Sequence, residues 1–133
     1  GDKYKKNNNI FIIFILLIIT GCLNKNINQY NYSYKGKNEF WTAEYHITGN
    51  DTTCEKIFTI TYNYDISQLS SIKRLEISYE SSVANGGIEE IVQPEKSYTL
   101  KSTTSGGVIE SKDEVIKVTI NIDGHIQILE LKN

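Results

Sequence analysis

Ile116-Lys117-Val118-Thr119-Ile120-Asn121-Ile122-Asp123-Gly124-His125-Ile126-Gln127-Ile128 is the stretch that decides how this chain folds. Ile116, Val118, Ile120 and Ile122 alternate with polar residues, which is the period of a strand with one buried face and one wet face. Asp123-Gly124 is the dipeptide that accepts the positive φ angles of a type I′ turn, and Ile126 and Ile128 begin the return. A β-hairpin is therefore expected here. Because Ile128 and Leu129 are adjacent and alternation resumes at Leu131, the return strand is expected to carry a bulge or to be buried on both faces at its end.

The same period of two runs upstream as far as Glu39. Trp41, Ala43, Tyr45 and Ile47 alternate with Thr42, Glu44, His46 and Thr48, and Asn50-Asp51-Thr52-Thr53 then turns the chain. Phe58, Ile60, Tyr62 and Tyr64 form a second row, with threonines on the solvent side as β-branched surface positions favour. Leu75, Ile77 and Tyr79 make a third, after a connection through Ser67-Gln68-Leu69-Ser70-Ser71 that can hold one helical turn. Gly86-Gly87 reads as a bend, Ile88–Val92 as a short strand before Pro94, and Ser97–Ser102 and Val108-Ile109 as two more. About seven short strands in residues 39–133, with no long helical period, predict an all-β fold: a two-layer antiparallel sandwich of immunoglobulin-like type. Trp41, Phe58, Tyr62 and the isoleucine rows are its expected core.

The chain has 133 residues, enough for one domain and an appendage. With 39% hydrophobic and 23% charged residues it can pack a core, and its formal net charge of -2 lacks the cationic footprint of a nucleic-acid binder. The appendage is at the start. A lysine-rich opening (Lys3, Lys5, Lys6) precedes three asparagines and then Ile10–Ile19, a run drawn only from Ile, Leu and Phe. A membrane-spanning helix needs about 20 apolar residues, so this run is too short to span and matches the apolar part of a signal peptide.

Ile19-Thr20-Gly21-Cys22 follows directly. It resembles the lipobox of bacterial lipoproteins, in which an aliphatic residue, two small residues and a cysteine end the signal peptide. The resemblance implies a diacylglyceryl group on the Cys22 sulfur, cleavage after Gly21, and a mature chain that starts at Cys22. A single acyl chain anchors only marginally, so the two or more chains implied at Cys22 are what stable attachment requires. Loss of residues 1–21 removes three cationic side chains and one anionic one, moving the formal charge from -2 to -4.

Residues 22–38 are read as the lipidated cysteine and a polar tether. Leu23–Asn38 holds five Asn, three Lys and three Tyr, too little apolar surface to order itself, with a coil reach of roughly 20–24 Å. Tyr30, Tyr32 and Tyr34 alternate with polar residues, which leaves an added edge strand or a sugar-stacking strip as alternatives. Taken with strand rows such as Phe40-Trp41-Thr42-Ala43-Glu44-Tyr45 and the Asn/Lys/Ile-rich composition, the chain resembles the small cell-surface lipoproteins of low-GC Gram-positive bacteria with an immunoglobulin-like C-terminal domain. That resemblance implies a place at the extracytoplasmic face of the cell membrane and carries no catalytic residues with it.

The residues themselves assign no catalytic, cofactor-binding or metal-binding site. His46 and His125 fall on outward positions of separate strands without the ligand spacing of a zinc site. Glu89 and Glu90 are sequential, so a strand sends them to opposite faces. Asp51, Asp113 and Asp123 sit in different turns without the spacing of a calcium loop, and no helix start follows Gly86-Gly87 or Gly106-Gly107 to make a phosphate cradle. Cys54 is read as an incidental or half-buried thiol in a turn region, with an intermolecular bridge as the alternative. The function expected is a non-enzymatic interaction module, anchored to the membrane through Cys22, for an envelope protein, peptide or glycan. The alternatives are a structural accessory of an envelope complex and a small hydrolase.

Overall fold

The computed structural model describes residues 28–106 and 108–133. Among these residues eight strands form two antiparallel sheets: β1 (Gln29–Lys37), β2 (Trp41–Asn50), β3 (Thr53–Tyr62), β4 (Leu75–Glu80), β5 (Asn85–Ile91), β6 (Ser97–Ser105), β7 (Ile116–Ile122) and β8 (His125–Leu131). One sheet has the order β1-β2-β3-β6 and the other β5-β4-β7-β8. The chain changes sheet between β3 and β4, returns between β5 and β6, and changes again before β7. Pairing β3 with β6 and β4 with β7 interlocks the two layers, as in the immunoglobulin-like sandwich.

Strand parity builds the interior. Trp41, Tyr45 and Ile47 of β2, Phe58 and Ile60 of β3, Leu75 and Ile77 of β4, and Ile116, Val118 and Ile120 of β7 are at most 1% exposed and share one core. Aromatic rings bridge the layers: Tyr79 of β4 lies 4.7 Å from Phe58 and 5.2 Å from Tyr45, centroid to centroid. Such tilted pairs contribute about 0.5–1.5 kcal/mol beyond the area they bury.

The deciding hairpin forms as read. Asp123 and Gly124 have φ of 52° and 89°, the positive pair that a type I′ turn requires, and the Asp123 carboxylate accepts from the backbone N–H of Lys73 and Arg74. The return strand differs from expectation. β8 pairs with β7 without any register shift, so there is no bulge. Val118 opposite Leu129 and Ile116 opposite Leu131 set the inward row, which leaves Ile126 and Ile128 on the outer face, 63% and 54% exposed. One step of parity decides this, since successive strand residues face opposite sides.

Four further expectations are corrected. Residues 29–37 are not a tether, because Gln29–Lys37 is strand β1, paired along its length with β2. The ordered body thus begins ahead of residue 39. Tyr34 is fully buried against Tyr45, and Tyr30 and Tyr32 pack on the core behind it, so three tyrosines supply the apolar face that the polar composition hid. Gly86-Gly87 lies inside β5 and not at a bend; Gly86 faces the Tyr79 ring, where a Cβ would clash. Val108-Ile109 is not a strand, and the chain from Val108 to Val115 is irregular. Cys54 is buried within β3, its thiol donating to the Asn50 carbonyl at 3.1 Å, and it is a free cysteine. The helical turn exists as a 3-10 turn, Ile66–Leu69, whose N-cap Asp65 accepts from the Ser67 N–H.

One side of the sandwich is closed. Lys35 and Lys132 exchange backbone hydrogen bonds of 2.8 and 3.0 Å, joining β1 to the end of β8. Gly36 permits this approach, since a Cβ there would press into the Glu130 carbonyl oxygen. The opposite side, between β5 and β6, has no such bridge among the described residues.

Candidate functional site

Within β3 the inward row reads Cys54, Lys56, Phe58, Ile60, Tyr62, so one charged residue stands where the pattern calls for an apolar one. Lys56 is buried, 1% exposed, and Glu110 of the irregular segment is equally buried; Nζ and Oε1 lie 2.8 Å apart. Transferring either charge alone out of water is costly, so each requires the other. The Ser81 hydroxyl, just after β4, donates to the second Glu110 oxygen at 2.9 Å. Tyr34 of β1 donates to the Ser111 carbonyl at 2.7 Å, while Ser82 donates through its N–H and hydroxyl to Glu114 at 2.7 and 2.6 Å. These bonds fasten residues 110–114 to β1, β3 and the β4–β5 turn.

The electrostatics follow from this enclosure. Burial pushes the Glu110 carboxyl up, but the Lys56 ammonium and the nearby Tyr45 and Ser81 hydroxyls outweigh it and hold the group below its ordinary range. Tyr45 is driven strongly upward, first by burial and then by Glu110; its hydroxyl faces the carboxylate without reaching a formed hydrogen bond. Burial, with the nearby carboxylates, pushes Tyr34 up to about 12. A carboxylate bound to an ammonium and a hydroxyl, out of reach of solvent, cannot exchange protons with a substrate. The cluster acts as a latch that holds the 108–115 segment to the sheets. Neither Lys56 nor Glu110 is among the candidates drawn from the sequence, although a lysine interrupting an inward row is an available signal.

The candidate residues that the sequence offers lie apart. Cys22, with the Ile10–Ile19 run, lies outside the described residues. His46 on the outer face of β2 bonds Ser33 through Nδ1 at 2.9 Å, and His125 is exposed at the start of β8 in the other sheet. Asp51 accepts from the Tyr30 hydroxyl, Asp123 caps the chain at Lys73 and Arg74, and Asp113 sits in the 108–115 segment. Glu89 and Glu90 fall where the β4–β5 register shifts, and Glu90 has φ of 56°, so both are exposed at a bulge. Among the described residues no group of three or more His, Cys, Asp or Glu is placed to hold a metal ion.

Two surface features remain. The outer face of β4, β5 and β7 forms a shallow depression of about 420 Å³ over Ser78, Gly87 and Thr119, with Glu76, Glu80 and Lys117 at its margins. At the end of the sandwich away from the start of β1, Phe40 and Tyr64 are paired at 5.8 Å and each 39% exposed. Neither feature brings together a nucleophile, a base and an orienting group. Compared with known proteins, the chain matches no family model, no curated protein and no solved structure.

Proposed function

We propose that this protein is a lipid-anchored protein of the extracytoplasmic face of the bacterial cell membrane, whose β-sandwich is a non-enzymatic interaction module. The observation that carries the reading is the order along the chain. A basic start, an apolar run too short to span, Ile19-Thr20-Gly21-Cys22, and then the first strand of a sandwich, separated from Cys22 by only six residues, follow one another. Six residues reach at most about 21 Å even when fully extended. An anchor on Cys22 therefore keeps the domain beside the bilayer. The end bearing the start of β1 and the Asp51-Thr52 turn then faces the membrane, and the end bearing Phe40 and Tyr64 points away.

The interaction role is supported by how the domain uses its charged groups. Among the described residues, the buried Lys56–Glu110 ion pair is committed to holding a segment in place, while two of the four sheet edges remain unpaired. The test is mass spectrometry of the protein made with its own leader in a Gram-positive host. The expected N-terminal peptide begins at Cys22 and carries the mass of a diacylglyceryl group, and Cys22→Ala yields an uncleaved chain without it. A wild-type peptide that is intact from the lysine-rich start, with no acyl group, overturns the proposed location.

A further inference from the structure

A two-sheet sandwich has four edge strands, and exposed edges invite pairing with another chain, so proteins protect them. Here β1 and β8 protect each other through the Lys35–Lys132 bridge. β5 is interrupted by the register shift opposite Leu75 and Ile77, and by the left-handed backbone of Glu90, a bulge that turns an edge away from a regular partner. β6 is different. It runs nine residues, pairs with β3 throughout without a shift, contains no proline, and has no partner on its other side among the described residues.

The direction of its free groups can be worked out. The Tyr62 N–H donates to the Lys96 carbonyl at 2.9 Å and the Gly106 N–H to the Thr52 carbonyl at 3.3 Å, one at each end of the β3–β6 pair. Positions of the same parity, Tyr98, Leu100, Ser102 and Thr104, therefore turn their backbone groups toward β3, because antiparallel ladders alternate. Ser97, Thr99, Lys101, Thr103 and Ser105 present theirs outward. The side chains divide the same way: Tyr98 and Leu100 lie on the core side and are half-buried, whereas Thr99, Lys101 and Thr103 are exposed on the wet face.

We infer that the outer edge of β6 is a strand-addition site for an extended peptide segment of alternating apolar and polar residues that carries a carboxylate opposite Lys101. The backbone groups of Thr99, Lys101 and Thr103 supply the hydrogen-bond ladder, as in other strand-addition complexes. The apolar residues of the incoming segment extend the row begun by Tyr98 and Leu100 over the open side of the sandwich. Lys101 selects an acid at the facing position, since opposite charges across a strand pair attract and like charges repel. A lysine in the middle of the edge also works against pairing with a second copy about that residue. The inference deepens the proposed interaction role and rests on it, but it does not use the anchor.

The test uses the full-length chain in detergent and a synthetic peptide of alternating valine and threonine with one central glutamate, with a central lysine in the control peptide. Amide hydrogen exchange is read residue by residue. The glutamate peptide is expected to slow exchange at Thr99, Lys101 and Thr103 by about tenfold or more, and the lysine peptide to do so much less. Lys101→Pro removes a donor that makes no internal bond, a position where edge strands tolerate proline; it should abolish the protection with the circular dichroism spectrum unchanged. Lys101→Glu keeps the backbone and should exchange the preference between the two peptides, so the outcome can be read even if the proline variant does not fold. No slowing at these amides, or slowing confined to Asn85–Ile91 or to His125–Leu131, overturns the inference. Protection of the same amides by a concentration-dependent dimer, without peptide, also overturns it and assigns the edge to a second copy. An unacylated Cys22 would refute the proposed location and leave these exchange results standing.

Discussion

Removing either member of the Lys56–Glu110 pair should be among the most damaging single changes in the protein, and removing both should not. Breaking a buried ion pair leaves an uncompensated charge and costs about 3–5 kcal/mol, whereas replacing both partners with apolar residues of similar volume is often close to neutral. The two orphans are not equivalent. In Lys56→Met the Glu110 carboxylate keeps its bond from Ser81 at 2.9 Å, so the loss should lie near the lower figure, about 3 kcal/mol. In Glu110→Leu the Lys56 ammonium has no other hydrogen-bond partner among the described residues, and about 5 kcal/mol is expected. The smaller value already lowers the melting temperature by roughly 12 °C in a domain of this size. Urea denaturation of the two single variants and of Lys56→Met/Glu110→Leu gives the coupling energy directly. The double variant should cost at least about 3 kcal/mol less than the sum of the singles, because distant and independent changes would add to within about 0.5 kcal/mol. Additive losses, or single losses below about 1 kcal/mol, would show that the pair is not sealed from water and would refute the latch.

The same carboxyl sets an acid limit. Its pKa is depressed in the folded state, so its stabilisation is complete above the ordinary value of 4.5 and is lost as pH falls through the lower folded value; Lys56→Met should flatten that part of the stability–pH curve. At the other extreme, the Tyr34 pKa is raised from 10.0 to about 12, so its share of stability is present below pH 10 and is lost as pH rises toward 12. Ultraviolet titration should show fewer tyrosines ionising between these values in the folded chain than in urea. A chain starting at residue 28 should fold, whereas one starting at residue 39 lacks Tyr34 and exposes the edge of β2. Burying one such side chain is worth about 1.5–3 kcal/mol, and the shorter chain should lose at least that much by urea denaturation. Gly124→Val places a β-branched residue at φ of 89° and should cost at least about 1–2 kcal/mol, measured by thermal unfolding.

The candidate edge was only partly legible. That a sandwich keeps open borders follows from its class, but Ser97–Ser105 does not announce itself as the exposed one. Its residues alternate no more openly than those of β1, which is capped by β8 through Gly36. Lys56 was legible in principle as a charge in an apolar row. Glu110 was not, because nothing near it in the chain says that a glutamate in an irregular segment will enter the core; its partner is 54 residues away. The tyrosines of β1 were misread for a related reason. A phenol in a polar stretch is weak by composition, and only the neighbouring Tyr45 and the ridge of β2 make its burial favourable.

By itself the sequence determined the strands whose apolar rows have a period of two, the type I′ turn at Asp123-Gly124, and the all-β class, because these depend on residues close together in the chain. It also set out the order of basic start, apolar run and Cys22 on which the proposed location depends. Tertiary structure alone decided which parity of β8 faces inward, that residues 29–37 join the sheet, which glutamate neutralises Lys56, and which two of the four edges have no partner among the described residues. The last two rest on residues far apart in the chain, such as Lys56 and Glu110. The first two lie in local pairs, β7 with β8 and β1 with β2, but which face turns inward is decided by packing against the opposite sheet, so its free energy belongs to that contact and not to either segment alone.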